Sequence, residues 1–402
     1  MNPFRLAILQ THPIQYHAPF FRKLAECTEI DVTVFYCSDH ALRPAIDPGF
    51  GVRFTWDRDL VSGYVCHFLK NYSFKSDVNS FFGLVNLGIV HEILVGTYDA
   101  LLIHGYTHAT TLIAYVAARI KGVPIFFRGE TIITPHSGVR AYVQKLFFKF
   151  FFSGCSACFP VGKKSRAFYD YYKIPESKLY FMPYAVDNEY FFTQRKALPK
   201  KSDLKKRLGY PDLPIVLFAA KLINRKRPHD VLQAFSCLPK KSAVLVFVGD
   251  GPLRSELESY AKKNSIDGVF FEGFKNQSEL SLYFGAADIF VLPSGFETFG
   301  LVVNEAMCFG LPIITSDAVG CATDLVQDGS GYIYPVGDVV RLGEYISLLL
   351  NNPHEREQMG KRSSEIIVEW SYGTGVSAVL NALAATRKSA SHIPRKRTAS
   401  RR

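Results

Sequence analysis

The strongest constraint on this chain is a repeated alternation of short apolar runs with longer helical stretches. Residues 6–10, 32–36, 100–104, 125–128 and 157–161 read as one series of short buried strands, with helical stretches such as 109–121 and 140–151 between several of them. A second series reads as strands at 215–219, 243–248, 269–272, 289–292 and 312–315, separated by helices at 228–236, 252–263, 277–286 and 299–309. Strand–helix alternation implies a parallel sheet, here twice over. A linker, Met182-Pro183-Tyr184-Ala185-Val186-Asp187-Asn188-Glu189-Tyr190-Phe191, and a Lys-rich stretch lie between the two series. The expected fold class is therefore α/β, with two Rossmann-like doubly wound domains facing a cleft. Residues 1–185 form the first domain and 186–365 the second. A helix at 366–388, part of a helical signal over about 363–386, is expected to cross back onto the first domain, followed by a basic tail at 389–402.

Composition agrees with two packed domains. The 402 residues suit two or three domains, and 48% hydrophobic residues suffice for large cores. No run reaches the ~18 apolar residues of a membrane span. The start, Met1-Asn2-Pro3-Phe4-Arg5-Leu6, reads as a first strand rather than a signal peptide, so a cytoplasmic protein is expected. The eight cysteines are scattered, and Cys155-Ser156-Ala157-Cys158 lacks the second half of a zinc site. They read as buried free thiols.

The chemistry concentrates in Gly295-Phe296-Glu297-Thr298-Phe299-Gly300-Leu301-Val302-Val303-Asn304-Glu305. The segment follows one apolar strand and precedes another, at the carboxyl end where open α/β sheets bind ligands. Thr298 reads as an N-cap, with a helix over 299–309. Glu297 then sits on the entry loop and Glu305 inside the helix, and the free N–H groups between them suit an anion such as a phosphate. Two glutamates at this spacing are often no more than a solvated helix face. A glycosidase pair is the other chemical reading, discounted because a helix N-terminus lies between the carboxylates. Lys221 ends the 215–220 strand and Lys226 follows on a loop, two cations suited to a diphosphate. No Asp-x-Asp triplet lies near a strand end, so no metal is expected.

The second half resembles the retaining GT-B glycosyltransferases of the GT4-like family, the glycosyl transferases group 1. Pro183-Tyr184-Ala185-Val186-Asp187 is similar to the family's hinge. Lys221-Leu222 with Lys226 is similar to its phosphate clamp, with Lys221 where Arg is usual. Val248-Gly249-Asp250-Gly251-Pro252, Phe271-Glu272-Gly273, the Glu297…Glu305 segment, Gly329-Ser330-Gly331-Tyr332 and Gly337-Asp338 follow in the family's order. The resemblance covers about half the chain. It implies that Glu305 binds ribose hydroxyls and Glu297 touches the donor sugar. The amides of Gly300, Leu301 and Val302 would hold the phosphate, with Lys221, Lys226 and Gly249 also on the donor.

The first domain departs from that pattern. The family's Gly-Gly loop after the first strand is replaced by His12-Pro13-Ile14-Gln15-Tyr16-His17. His12, Gln15 and His17 are expected on the acceptor side. His104 ends one strand and Arg128, where the family often carries His, ends the next in Phe127-Arg128-Gly129-Glu130; with Glu297 both are expected among the catalytic residues. Arg128 cannot act as a base and is expected as a cation near the donor phosphate or the acceptor. Satisfied, partly buried histidines are the plain alternative for His12, His17, His104 and His108.

The net charge of +11 is partly localised in Arg395-Lys396-Arg397 and Arg401-Arg402. No nucleic-acid motif accompanies it. Residues 140–151, with Lys145 and Lys149 among Phe147, Phe148, Phe150, Phe151 and Phe152, read first as a core helix with snorkelling lysines and second as an interfacial helix on anionic lipid. The expected function is transfer of a sugar from a nucleotide-diphosphate sugar, with retention, to a lipid-linked or polysaccharide intermediate. No cofactor or metal is needed, and an anionic membrane surface is a partner on the inner face. The alternative is a catalytically weak sugar-nucleotide-binding partner or regulatory subunit.

Overall fold

The computed structural model describes residues 2–46, 49–133, 137–326 and 329–391. Most of the basic tail, including Arg395, Lys396, Arg397, Arg401 and Arg402, lies outside them. The first domain runs β1 (Phe4–Gln10), α1 (Ala18–Ala25), β2 (Ile30–Tyr36), a hairpin of β3 (Ala45–Ile46) and β4 (Arg53–Phe54), β5 (Val65–Phe68), α2 (Gly88–Val95), β6 (Ala100–His104), α3 (Ala109–Lys121), β7 (Ile125–Arg128), α4 (Gly138–Ser153), β8 (Cys155–Phe159) and α5 (Lys163–Tyr171). The second runs α6 (Asn188–Ala197), α7 (Lys201–Arg207), β9 (Ile215–Ala219), α8 (Pro228–Ser236), β10 (Val244–Val248), α9 (Arg254–Lys263), β11 (Val269–Phe271), α10 (Gln277–Ala286), β12 (Ile289–Leu292), α11 (Leu301–Cys308), β13 (Ile313–Ser316), β14 (Gly331–Tyr334), α12 (Val339–Asn351) and α13 (Pro353–Glu369); α14 (Tyr372–Ser391) follows.

Each domain holds a six-stranded sheet, in the orders β5-β2-β1-β6-β7-β8 and β11-β10-β9-β12-β13-β14, paired in parallel throughout. The two expected doubly wound domains are present. Their strands read as apolar runs because helices cover both faces, so no position needs a polar side chain; all of β7, β9, β10 and β12 is buried. The reversal of strand order beside β1 and β9 opens the crevice where ligands bind in such sheets. Here the two crevices face each other.

The expected helix over 363–386 is two helices. α13 ends at Trp370, where the buried Asn188 side chain donates to the carbonyls of Ile367 (2.8 Å) and Trp370 (3.2 Å). Those carbonyls are then satisfied from outside the helix, which lets the chain turn. Trp370 packs edge-on against Phe181 and tilted against Phe299 at the cleft, both at 5.5 Å between ring centres. α14 then crosses to the first domain as expected. Ala378, Val379, Ala382 and Leu383 join Leu6, Ile8, Phe20, Phe21 and Phe126 in one buried cluster. Val379 and Leu383 are completely buried, each contributing about 1.5–3 kcal/mol.

Candidate active site in the interdomain cleft

A cavity of about 370 Å³ lies between the domains, at the carboxyl ends of β9, β10, β11 and β12. Its second-domain lining includes Lys221, Lys226, Gly249, Glu297, Gly300, Leu301, Val302 and Glu305, which the sequence nominates; from the first domain it takes the expected Gln15. Gly249 stands at φ +135°, and a Cβ there would meet the Ala220 carbonyl oxygen at 2.0 Å. Only glycine lets the β9 and β10 ends approach so closely.

The helix at the centre starts later than the sequence suggests. Its N-cap is Gly300, in the left-handed region at φ +104°, and α11 begins at Leu301. A side chain at Gly300 would also be crowded by Val319 at 3.1 Å. Thr298 is not the cap. Its hydroxyl instead donates across the cleft to Glu130 Oε2 at 2.6 Å. A threonine three residues before the helix is a cap signal only if its oxygen turns back on the helix, and here a carboxylate of the other domain holds it.

Glu305 is 2% exposed and sits one turn into α11. Its Oε1 accepts from the Tyr16 hydroxyl of the first domain (3.2 Å) and from Gln277 Nε2 (3.3 Å). Burial raises its pKa to about 7, against the lowering effect of these two bonds. Glu297 pairs with Lys226 and accepts from the Ser294 hydroxyl at 3.4 Å. The two side chains compensate each other's charge in the ligand-free protein. Lys221 lies with its ammonium 4.8 Å from the centre of the Phe50 ring.

The expected first-domain residues divide. Arg128 does not line the cavity. It is 6% exposed, donates from Nη1 to His17 Nε2 at 3.1 Å, and lies 5.0 Å from the centre of the Tyr184 ring, which does line the cavity. His104 stacks beside His17 with ring centres 4.8 Å apart. Burial pushes both histidines well below the usual range, and the neighbouring guanidinium adds to it. Both are therefore neutral, and His17 Nδ1, His104 Nε2 and Arg128 Nε have no hydrogen-bond partner among the described residues. This trio is a buried cationic cluster behind Tyr184. His12 is set apart: it contacts the Thr11 hydroxyl at 3.1 Å and the His40 ring at 5.9 Å, and burial lowers its pKa to about 4. His108 is the plain structural case, with Nε2 on the Val78 carbonyl at 2.9 Å.

Tyr16, Glu130, Tyr184, Gln277, Phe50, Trp56 and Phe274 also line the cavity. Sequence reasoning named Tyr16, Glu130 and Tyr184 only as members of motifs. The signal for the first two was their place just after strand ends; their partners, Glu305 and Thr298, are visible only once the domains meet.

The sequence model of the family described as "Glycosyl transferases group 1" matches residues 200–365. Alpha-D-kanosaminyltransferase of Streptomyces kanamyceticus is 25% identical over 198 residues, 48% of this chain and 50% of that protein. N-acetyl-alpha-D-glucosaminyl L-malate synthase of Bacillus anthracis is 31% identical over 190 residues, 46% of this chain and 49% of that protein. A GDP-mannose-dependent phosphatidylinositol monomannoside mannosyltransferase of Mycobacterium tuberculosis is 26% identical over 50% of this chain and 54% of its own length. The matched region thus spans about half of each relative. Across the whole fold the chain resembles a glycosyltransferase from Rickettsia africae, at TM-score 0.76 and 13% identity, covering 96% of this chain and all of that one. It also resembles Anabaena HepE solved with UDP, at TM-score 0.71 and 16% identity over 95% of this chain and all of that one.

Proposed function

Because residues 200–365 are a Glycosyl transferases group 1 domain within a chain of GT-B fold, we propose that this protein transfers a sugar from a nucleoside diphosphate donor to an acceptor, with retention at the anomeric carbon. The observation that carries the reading is a single cavity holding two lysines, the start of α11 and a buried carboxylate one turn further on. A diphosphate fits the lysines and the helix start, where positive charge would stabilise the leaving phosphate as it forms. Glu305 is then placed for ribose hydroxyls and Glu297 for the donor sugar. An incoming diphosphate competes for Lys226, and its success frees the Glu297 carboxylate to accept from sugar hydroxyls.

The test is calorimetric titration of the full chain with UDP, GDP and ADP. Lys226→Ala is expected to cost roughly 1.5–3 kcal/mol of binding, as for a hydrogen bond to a charged group. The lysines supply the positive charge, so the titration and the turnover are expected to be unchanged in EDTA. Unaltered affinity in Lys226→Ala, or strict dependence on Mg²⁺ or Mn²⁺, would sink this assignment. Turnover with a panel of nucleotide sugars separates an enzyme from a protein that only binds them.

A lipid-linked or polysaccharide acceptor at the inner face of a membrane is the finer reading. α4 supports it. Phe148, Phe151 and Phe152 are buried in the first domain, while Val139, Tyr142, Val143, Leu146 and Phe150 are exposed on the same helix as the exposed Lys145 and Lys149. The buried phenylalanines make one face of α4 part of the core, and the exposed apolar side chains beside the two lysines support an interfacial role for the other. No helix among the described residues is long and apolar enough to cross a membrane, so the expected association is peripheral. Vesicles with anionic lipid should bind the protein at low salt and release it as salt rises, while neutral vesicles should not bind it. Indifference to anionic vesicles at low salt would overturn this part.

A further inference from the structure

The cavity has one wall that the second domain does not supply. Residues 49–58 of the first domain cross to the second, and Phe50 and Trp56 from this strap border the cavity. The strap is fastened by aromatic contacts to Phe274, in the loop after β11. Phe54 stacks on Phe274 with centres 4.3 Å apart, Phe50 meets it edge-on at 4.8 Å, and Trp56 lies edge-on to Phe54 at 4.9 Å. Polar bonds fasten it at the start of α10. Asn276 Nδ2 donates to the Thr55 carbonyl at 3.0 Å, and the Ser278 amide and hydroxyl donate to Asp57 Oδ2 at 3.0 and 2.5 Å. Arg58 closes the strap on Asp187 at 2.7 Å and over the Tyr190 ring at 3.6 Å.

Rings that served only as glue would be covered. Phe50, Trp56 and Phe274 are each only partly buried, and all three border the cavity. Their place follows the chemistry of a nucleotide in order. The start of α11 suits phosphate, and Glu305 one turn on suits ribose. Glu305 is bonded to Gln277, and Phe274 lies three residues before Gln277 on the same connection. The next group of a nucleoside diphosphate in that direction is its planar base, and aromatic faces are what a base stacks on.

We propose that Phe50 and Trp56, carried by the first-domain strap, form with Phe274 the wall that takes the nucleobase, so that base selection depends on both domains. This rests on the reading of the cavity as a nucleoside diphosphate site. Trp56 is the cleaner residue to vary, since the Phe50 ring also touches Lys221.

The test compares UDP, GDP and ADP with inorganic pyrophosphate, which has the charge but no base, in calorimetry on the full chain. Trp56→Ala is expected to weaken the preferred nucleoside diphosphate by about ten-fold, the size of a lost stacking contact, and to leave pyrophosphate unchanged. Trp56→Phe should recover most of the loss. The chain has two tryptophans, so in a Trp370→Phe background the emission of Trp56 should respond to the nucleoside diphosphate and not to pyrophosphate. Equal losses for both probes, or an unchanged nucleoside diphosphate affinity in Trp56→Ala, would overturn the wall alone. If the unaltered protein binds none of the three nucleotides, the reading of the cavity falls and the wall with it.

Discussion

Glu305→Gln is expected to make the ligand-free protein more stable at pH 8, by about 3 kcal/mol, and to change little at pH 4.5. The carboxyl is buried, and its pKa stands at about 7 rather than its ordinary 4.5. Such a group favours the folded state fully below the unfolded value, and that contribution is lost as pH rises through the folded value. A displacement of this size corresponds to about 3 kcal/mol. The amide keeps the shape and an acceptor for Tyr16 and Gln277 but carries no charge to desolvate. Denaturant unfolding from pH 4.5 to 8 measures this directly; equal slopes with pH in both proteins would refute it. Ligand binding should move the other way. In the proposed site ribose hydroxyls would donate to the carboxylate, so nucleoside diphosphate affinity should rise between pH 5 and 8 in the unaltered protein and stay flat in Glu305→Gln. A residue kept only for packing would show the first effect without the second.

Arg128→Ala is expected to lower kcat by on the order of 10²-fold, the loss typical of one oriented charge in a water-poor site. Among the described residues no carboxylate is ion-paired or hydrogen-bonded to the guanidinium, although Glu130 is near enough to act on it through its charge; its hydrogen bond goes to a neutral His17. Holding a buried cation so is costly, and the tyrosine between it and the cavity belongs to the lining. In the proposed reaction its field would bear on charge that builds in the cleft, without contact to the reacting atoms. Arg128→Met separates field from packing. If charge matters, turnover falls in both variants while the methionine protein melts no lower than the unaltered one. Normal turnover in Arg128→Met would reduce Arg128 to a packing residue.

How much was legible in the sequence follows from which forces are local. The alternation of strands and helices could be read because parallel strands are covered on both faces, and α8 and α10 fall where expected, at Pro228–Ser236 and Gln277–Ala286. β5 could not. Val65–Phe68 is a four-residue edge strand with mostly exposed side chains, and His67 interrupts its apolar residues, so it carries no clear strand signal. The hairpin of β3 and β4, two residues per strand, is too short to carry a period. Thr298 was misread as a cap because its true partner, Glu130, is 168 residues away. The break at Trp370 depends on Asn188 in the same way. That Lys221, Lys226, Gly249, Glu297 and Glu305 come together was readable since they sit just past strand ends of one domain. The strap, Tyr16 and the buried Arg128 cluster were not, since their meaning depends on how two domains meet.

The return of α14 has a consequence for the order in which the molecule can be made. Residues 4–159 carry the whole first sheet, yet its core includes Ala378, Val379, Ala382 and Leu383. On the ribosome, all of the second domain emerges before those four side chains do. The first domain must then wait with an uncovered apolar face until α14 emerges. Synthesis runs from one end, but the first domain's core is finished from the other.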